Sequence, residues 1–247
     1  MTPALSLQHI DFSYGGQPPL FRDLSLEIGQ GERFGLFGPN GAGKTTLMHL
    51  MTGLLPARAG SIQLLGEAVS TRNPRYKRLF GLVPQELSFY DALTPLENLT
   101  FFGAWARMNH GQIRQRSHEL LQLLGLWEVR HRPVHTFSGG MKRRLNLAIG
   151  VLHQPPVLLL DEPTVGVDVQ SRNAIMHYLR QLNEKGTTLI YTSHQLQEAE
   201  QLCTRVALID QGRILVCDEL TNLLAKEQAE GLEGLFLRLT GQAYRNS

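Results

Sequence analysis

The sequence predicts an α/β domain with an inserted helical subdomain. Three observations predict it. Short apolar strands alternate with helical patterns at both ends of the chain. The run Val157 to Leu160 is apolar at every position. Residues 85–154 carry helix signals and no strand pattern. Alternating strands and helices imply a parallel sheet with helices on both faces. Continuous apolar runs suit strands buried on both faces of such a sheet. A chain of 247 residues lies within reach of one large α/β domain. Its 42% hydrophobic and 19% charged residues are globular composition and exclude a disordered chain.

The elements follow in order. Leu5 to Phe12 alternates loosely and reads as a strand, and Leu24, Leu26 and Ile28 alternate cleanly. Gly29-Gln30-Gly31 is a turn, and Arg33 to Phe37 is a short strand that runs into a glycine-rich stretch. From Lys44 to Leu54 the pattern is helical, with Gly53 near its end, and Leu79 to Val83 is a further strand. Thr94-Pro95-Leu96-Glu97 is a capping box with Pro at the first helical position. Ile113, Leu120, Leu121 and Leu124 share one helical face. After Val157 to Leu160 comes a helix carrying Ile175, Leu179 and Leu182, closed by Lys185-Gly186. Thr187 to Thr192 is a β-branched strand. Val206 to Ile209 and Arg213 to Val216 flank Asp210-Gln211-Gly212, a hairpin turn.

Several function classes are excluded early. Lys and Arg total 24 against 22 Asp and Glu, a balance that does not point to nucleic acid. Cys203 and Cys217 fit neither a disulfide framework nor a zinc site, and a reducing compartment is expected. No stretch approaches the roughly 18 apolar residues that span a bilayer. No basic region followed by an apolar one marks a signal peptide at the N-terminus. Asn98-Leu99-Thr100 matches a glycosylation pattern but falls within a helix and is set aside. The basic cluster Arg72, Arg75, Lys77 and Arg78 reads as a solvated face.

Two motifs carry chemistry. Gly38-Pro39-Asn40-Gly41-Ala42-Gly43-Lys44-Thr45 fills every fixed position of the phosphate-binding loop, between a predicted strand and a predicted helix. Its glycines let backbone N–H groups turn inward around phosphate oxygens, and the helix N-terminus favours anions. Lys44 supplies a point charge for the β- and γ-phosphates, and the Thr45 hydroxyl can ligate Mg²⁺. The second motif is the apolar run ending in Asp161 and Glu162. Asp161 at a buried strand end can hold the Mg²⁺ shell, and Glu162 can orient or deprotonate an attacking water.

With Phe137-Ser138-Gly139-Gly140-Met141 added, the chain resembles the ATP-binding subunit of an ATP-binding cassette (ABC) transporter. The segment is similar to that family's Leu-Ser-Gly-Gly-Gln signature, with Met141 in place of Gln. Ser138 should N-cap a helix running to about His153, with the N–H groups of Gly139 and Gly140 in its first turn forming a second anion site. In the family this site faces the γ-phosphate held by a second subunit. Tyr14 resembles the aromatic that stacks on adenine. Gln85 resembles the glutamine that reaches Mg²⁺ and the attacking water, and His194 the switch histidine on the γ-phosphate. Asp168 matches the loop that crosses the dimer interface, where Val169 replaces a frequent Pro. The resemblance also adds Thr46 to the nucleotide contacts.

The resemblance covers essentially the whole chain and implies a P-loop NTPase (RecA-like) fold. Its parts are a mixed-sheet core, N-terminal antiparallel β strands and an inserted α-helical subdomain. Residues 1–84 and 155–247 would form the core with its β subdomain and C-terminal strand, and 85–154 the helical signature subdomain. The Ser138 to Leu145 segment is similar to multidrug-type exporter ATPases, and Leu232 to Gly241 looks like their C-terminal strand.

The function so implied is hydrolysis of ATP, with Mg²⁺, to drive a separate transmembrane permease through head-to-tail dimerisation. The location implied is the cytoplasmic face of the membrane, and no nucleic acid is expected. Two other classes remain in view. A soluble cassette ATPase on ribosomes or DNA would usually carry two cassettes or a coiled-coil insertion, and this chain has one cassette and no heptad run. A sensing module that has lost hydrolysis should lack Glu162 or His194, and both are present.

Overall fold

A computed structural model describes residues 2–70, 73, 75–226 and 231–240. Two sheets organise the chain. The first is antiparallel, ordered β2-β1-β4-β5, from Leu5–Phe12 (β1), Phe21–Ile28 (β2), Ala59–Leu64 (β4) and Glu67–Ala68 (β5). The second is six-stranded, ordered β10-β9-β3-β8-β7-β6. It comprises Arg33–Phe37 (β3), Phe80–Val83 (β6), Val157–Asp161 (β7), Thr188–Ser193 (β8), Arg205–Asp210 (β9) and Arg213–Glu219 (β10). All its pairings are parallel except β9 with β10, the expected hairpin. The fold is a P-loop NTPase core with an antiparallel N-terminal sheet and a mixed main sheet.

Side-chain alternation divides the main sheet between two cores. Phe34, Leu36, Val157, Leu159 and Ile190 join the antiparallel sheet and Lys44–Thr52 (α1) in one cluster. Phe37, Leu158, Leu160, Leu189 and Tyr191 face the other cluster, built with the remaining helices. Every residue of β7 is buried. This is the doubly covered strand that its unbroken apolar run requires.

Pro95–Trp105 (α2), His110–Leu123 (α3) and Gly139–Val151 (α4) all fall between β6 and β7. The α2 capping box is formed, with Thr94 Oγ1 accepting from Glu97 N and Glu97 Oε2 accepting from Thr94 N. Asn109 and Gln112 make the same reciprocal cap on α3. Asn98 is fully buried and bonded to both backbone groups of Tyr90, so it is a structural amide. Lys77 lies over the Trp105 ring, while Arg72 lies outside the described residues. Both cysteines are free thiols, and burial pushes that of Cys203 far above its usual range. No helix among the described residues is long and apolar enough to cross a membrane.

Val169–Glu184 (α5), Leu196–Leu202 (α6), Leu220–Lys226 (α7) and Leu232–Thr240 (α8) complete the chain. The last corrects the sequence reading, which expected a C-terminal strand from Leu232 to Gly241. Leu232, Leu235 and Phe236 bury one face at helical spacing. Gly231 adopts φ +92, and the Leu232 N–H donates to Glu200 Oε1, so the helix starts at a fixed point. Gly241 itself lies outside the described residues.

Candidate functional site

The phosphate loop leaves the C-terminal end of β3 and enters α1. A helix leaves its first four N–H groups without intrahelical partners. In α2, α3, α4 and α5 a side chain meets this need, from Thr94, Asn109, Ser138 and Asp168 respectively. The α1 N-cap is Gly43, at φ +108, with no side-chain cap. A Cβ there would sit 2.9 Å from the Phe21 ring, so both backbone angle and space demand glycine. The loop is braced from behind. Gly212 N, in the β9–β10 turn, donates to Ala42 O at 3.0 Å.

Lys44 is 5% exposed, and its Nζ donates to Gly38 O at 2.8 Å and Pro39 O at 3.1 Å. Burial lowers its pKa from the ordinary lysine value, against the opposing pull of Glu162 and Asp161. A buried ammonium held on two neutral carbonyls, beside an uncapped helix N-terminus, fits an anion. Tyr14 is 42% exposed and hangs over this region. Its hydroxyl shares a 2.9 Å hydrogen bond with Thr46 Oγ1, and Phe12 holds its ring edge-on at 5.0 Å. These two contacts hold the half-exposed Tyr14 ring beside the loop.

The two carboxylates end β7. Asp161 is 3% exposed and accepts from Thr192 Oγ1 on β8. Glu162 turns out of the strand at φ +48, its N–H bonded to Thr192 O at 3.1 Å. Its carboxylate collects the other polar groups singled out in the sequence. Gln85 Nε2 donates to Glu162 Oε2 at 3.2 Å, His194 Nδ1 lies 3.2 Å from the same oxygen, and Lys44 Nζ lies 3.9 Å from Oε1. Thr45 is exposed at the first turn of α1. The hydroxyl of Thr45, the carboxylate of Asp161 and the amide of Gln85 are hard oxygen donors of the kind Mg²⁺ takes.

Ser138 and Gly139 are exposed, and Ser138 Oγ accepts from Met141 N as the N-cap of α4. The first turn of α4 thus presents backbone N–H groups on the surface. Asp168 caps α5 in the same manner, accepting from Ser171 N and Ser171 Oγ, bonds that lower its pKa. Gly140 joins the two caps. A Cβ at Gly140 would lie 2.6 Å from Ser171 Oγ and 2.8 Å from Asp168 Oδ2.

Sequence reasoning missed the groups that tie these parts together. Arg143 is 8% exposed and donates to Gln85 O at 2.6 Å and Val165 O at 3.4 Å. Asn146, one turn on, donates to Pro84 O at 3.1 Å. Their i, i+3 spacing on the buried face of α4 was the available signal. Both clamp the helix that starts at Ser138 onto the segment carrying Gln85.

Comparison with known proteins gives the family and the fold. A family model described as ABC transporter matches residues 21–165. The linearmycin resistance ATP-binding protein LnrL of Bacillus subtilis is 42% identical over 222 residues, covering 90% of this chain and 71% of its own. The Nod factor export ATP-binding protein I of Ralstonia nicotianae is 40% identical over 212 residues, covering 86% and 66%. The chain thus spans about two thirds of the length of the second relative. A solved structure described as the ATP binding subunit of an ABC transporter superposes with a TM-score of 0.88 at 26% identity, covering 96% of this chain and 99% of that one. The fold also matches cbiO1 from Clostridium perfringens, with a TM-score of 0.82 at 23% identity, covering 92% and 93%.

Proposed function

The chain belongs to the ABC transporter family as an ATP-binding subunit, an ATPase coupled to transport, and we propose that it drives export through a separate transmembrane permease. The solved cbiO1 is described as part of the ABC transporter complex cbiONQ, which supports a separate partner. The two relatives above are named for linearmycin resistance and for Nod factor export, which supports the direction. Neither relative is named for ribosomes or DNA, so nothing in them favours that alternative. The site would then lie on the cytoplasmic face, held there by the permease.

The convergence of Gln85, Lys44 and His194 on Glu162 carries the hydrolytic reading. Tyr14 stacks on the adenine. The backbone of residues 38–46 and the Lys44 ammonium bind the phosphates, with Lys44 leaving the carbonyls of Gly38 and Pro39 for the richer acceptor. Thr45, Asp161 and Gln85 would hold Mg²⁺, which supplies neutralising charge for the phosphate oxygens. Gln85 and Glu162 orient the attacking water, and Glu162 accepts its proton as the bond to the leaving ADP breaks. His194 faces the γ-phosphate from the end of β8.

The surface N–H groups after Ser138 suit a phosphate presented from outside the subunit. We therefore place them, with Asp168, against the ATP of a second subunit in a head-to-tail dimer. Mixing Ser138→Arg with Lys44→Ala tests this arrangement. A mixed dimer would hold one intact composite site and one doubly damaged site. Recovery of ATP-dependent dimers or phosphate release on mixing is expected. If the mixture behaves as the sum of its parts while wild type dimerises, each site is built within one subunit.

A further inference from the structure

Glu198 lies in α6, outside every motif named above, and is 4% exposed. A buried carboxylate needs several donors, and Glu198 has them from two segments, with an arginine beside it on a third. Thr164 Oγ1 donates to it, 2.8 Å from each oxygen. Tyr191 OH donates to Oε2 at 2.7 Å, and Ser193 Oγ donates to the same oxygen at 3.1 Å. Arg172 Nε, on α5, stands 3.5 Å from Oε1. Thr164 Oγ1 and Tyr191 OH lie 3.0 Å apart, so the two donors sit side by side on the carboxylate at the centre of this node.

The places these donors occupy give the node a purpose. Thr164 lies two residues after Glu162, and Ser193 immediately precedes His194. Arg172 sits one turn into α5, and its N–H donates to Asp168 O at the helix cap. One carboxylate therefore fixes, from below the site, the chain on either side of the Glu162–His194 contact and the first turn behind Asp168.

We propose that Glu198 is a positioning residue for hydrolysis, setting the Glu162–His194 spacing and coupling it to the segment that carries Asp168. Its side-chain partners are Thr164, Arg172, Tyr191 and Ser193, none of them a residue of the phosphate loop or Tyr14. Its loss should slow the chemical step while leaving nucleotide affinity in place. Misplacing reacting groups by about an ångström costs up to roughly 10²-fold in rate. This inference rests on the ATPase reading.

The test is Glu198→Gln in the full chain, which keeps the shape but removes the charge and offers an amide to one of the three hydroxyls. We expect kcat to fall by at least about tenfold, with the dissociation constant for a non-hydrolysed ATP analogue within about twofold of wild type. Glu198→Asp, which keeps the carboxylate, should recover part of the rate. If Glu198→Gln does not fold, Thr164→Val and Ser193→Ala each remove one arm and should show the same split. Wild-type turnover in the folded variants, or affinity falling in step with kcat, would overturn the inference. A wild-type chain that releases no phosphate would instead bring down the ATPase reading itself.

Discussion

The Glu162 carboxylate and the His194 imidazole meet at 3.2 Å, one from the end of β7 and the other from the end of β8. One helix, α5, separates the two strands in sequence. They are neighbours in the sheet, paired from Val157 with Thr188 to Asp161 with Thr192. That register brings the two turns beyond the strands to the same edge. The site is thus a product of parallel pairing, in keeping with ligands that bind beyond the carboxyl ends of parallel strands.

Lys44→Ala should abolish tight nucleotide binding. A hydrogen bond to a charged group contributes roughly 1.5–3 kcal/mol, or about a 10- to 150-fold change in affinity. The two carbonyls that Lys44 now holds would also lose their donor. Titration with a fluorescent ATP analogue reads the loss. Affinity equal to wild type would remove Lys44 from phosphate binding.

Gly140→Ala should uncouple the two surface caps. The added methyl cannot fit beside Ser171 Oγ and Asp168 Oδ2 without moving one of them. The helix itself should tolerate alanine better than glycine, by about 1 kcal/mol. We expect nucleotide binding to the isolated subunit to persist while ATP-dependent dimerisation weakens. Undiminished dimerisation, followed by light scattering, would show that the caps move independently.

His153 gives a pH dependence of stability. Its Nε2 meets Phe80 O at 3.0 Å, and burial holds its pKa below the ordinary 6.5, with Arg78 acting in the same sense. The unfolded chain therefore takes up the proton first as pH falls. Stability from this group is complete above pH 6.5 and is lost as pH falls towards the lower folded pKa. His153→Gln keeps a donor for Phe80 O without titrating. Urea midpoints should fall less in this variant than in wild type across that range. Identical slopes would place the proton uptake elsewhere.

Much of the fold was legible where one residue pattern had one reading. The alternation in β2, the apolar run of β7 and the capping box of α2 each specify an element locally. The segment Ala59 to Leu64 hid β4, because only Ile62 and Leu64 are large apolar residues and its pairing with β1 is a long-range fact. The C-terminal Leu-rich segment could bury a face as strand or helix. The cap from Glu200 and the packing of Phe236 decide for helix, and neither is local. In the site, the phosphate loop, Ser138 and Asp168 were legible because their chemistry sits in consecutive residues. Arg143 and Glu198 were not, because their partners come together only when α4 and α6 pack on the sheet.

The most direct test of the account is the oligomeric state of Glu162→Gln with ATP. Gln keeps the shape of Glu162 and its contact with Gln85, but cannot take a proton. General-base assistance is typically worth about 10²–10⁴-fold, so ATP should persist between two subunits. Size exclusion should then show an ATP-dependent dimer that EDTA dissolves, with phosphate release nearly absent. A variant that stays monomeric with ATP bound, or that turns over within about twofold of wild type, far below that range, would contradict the account.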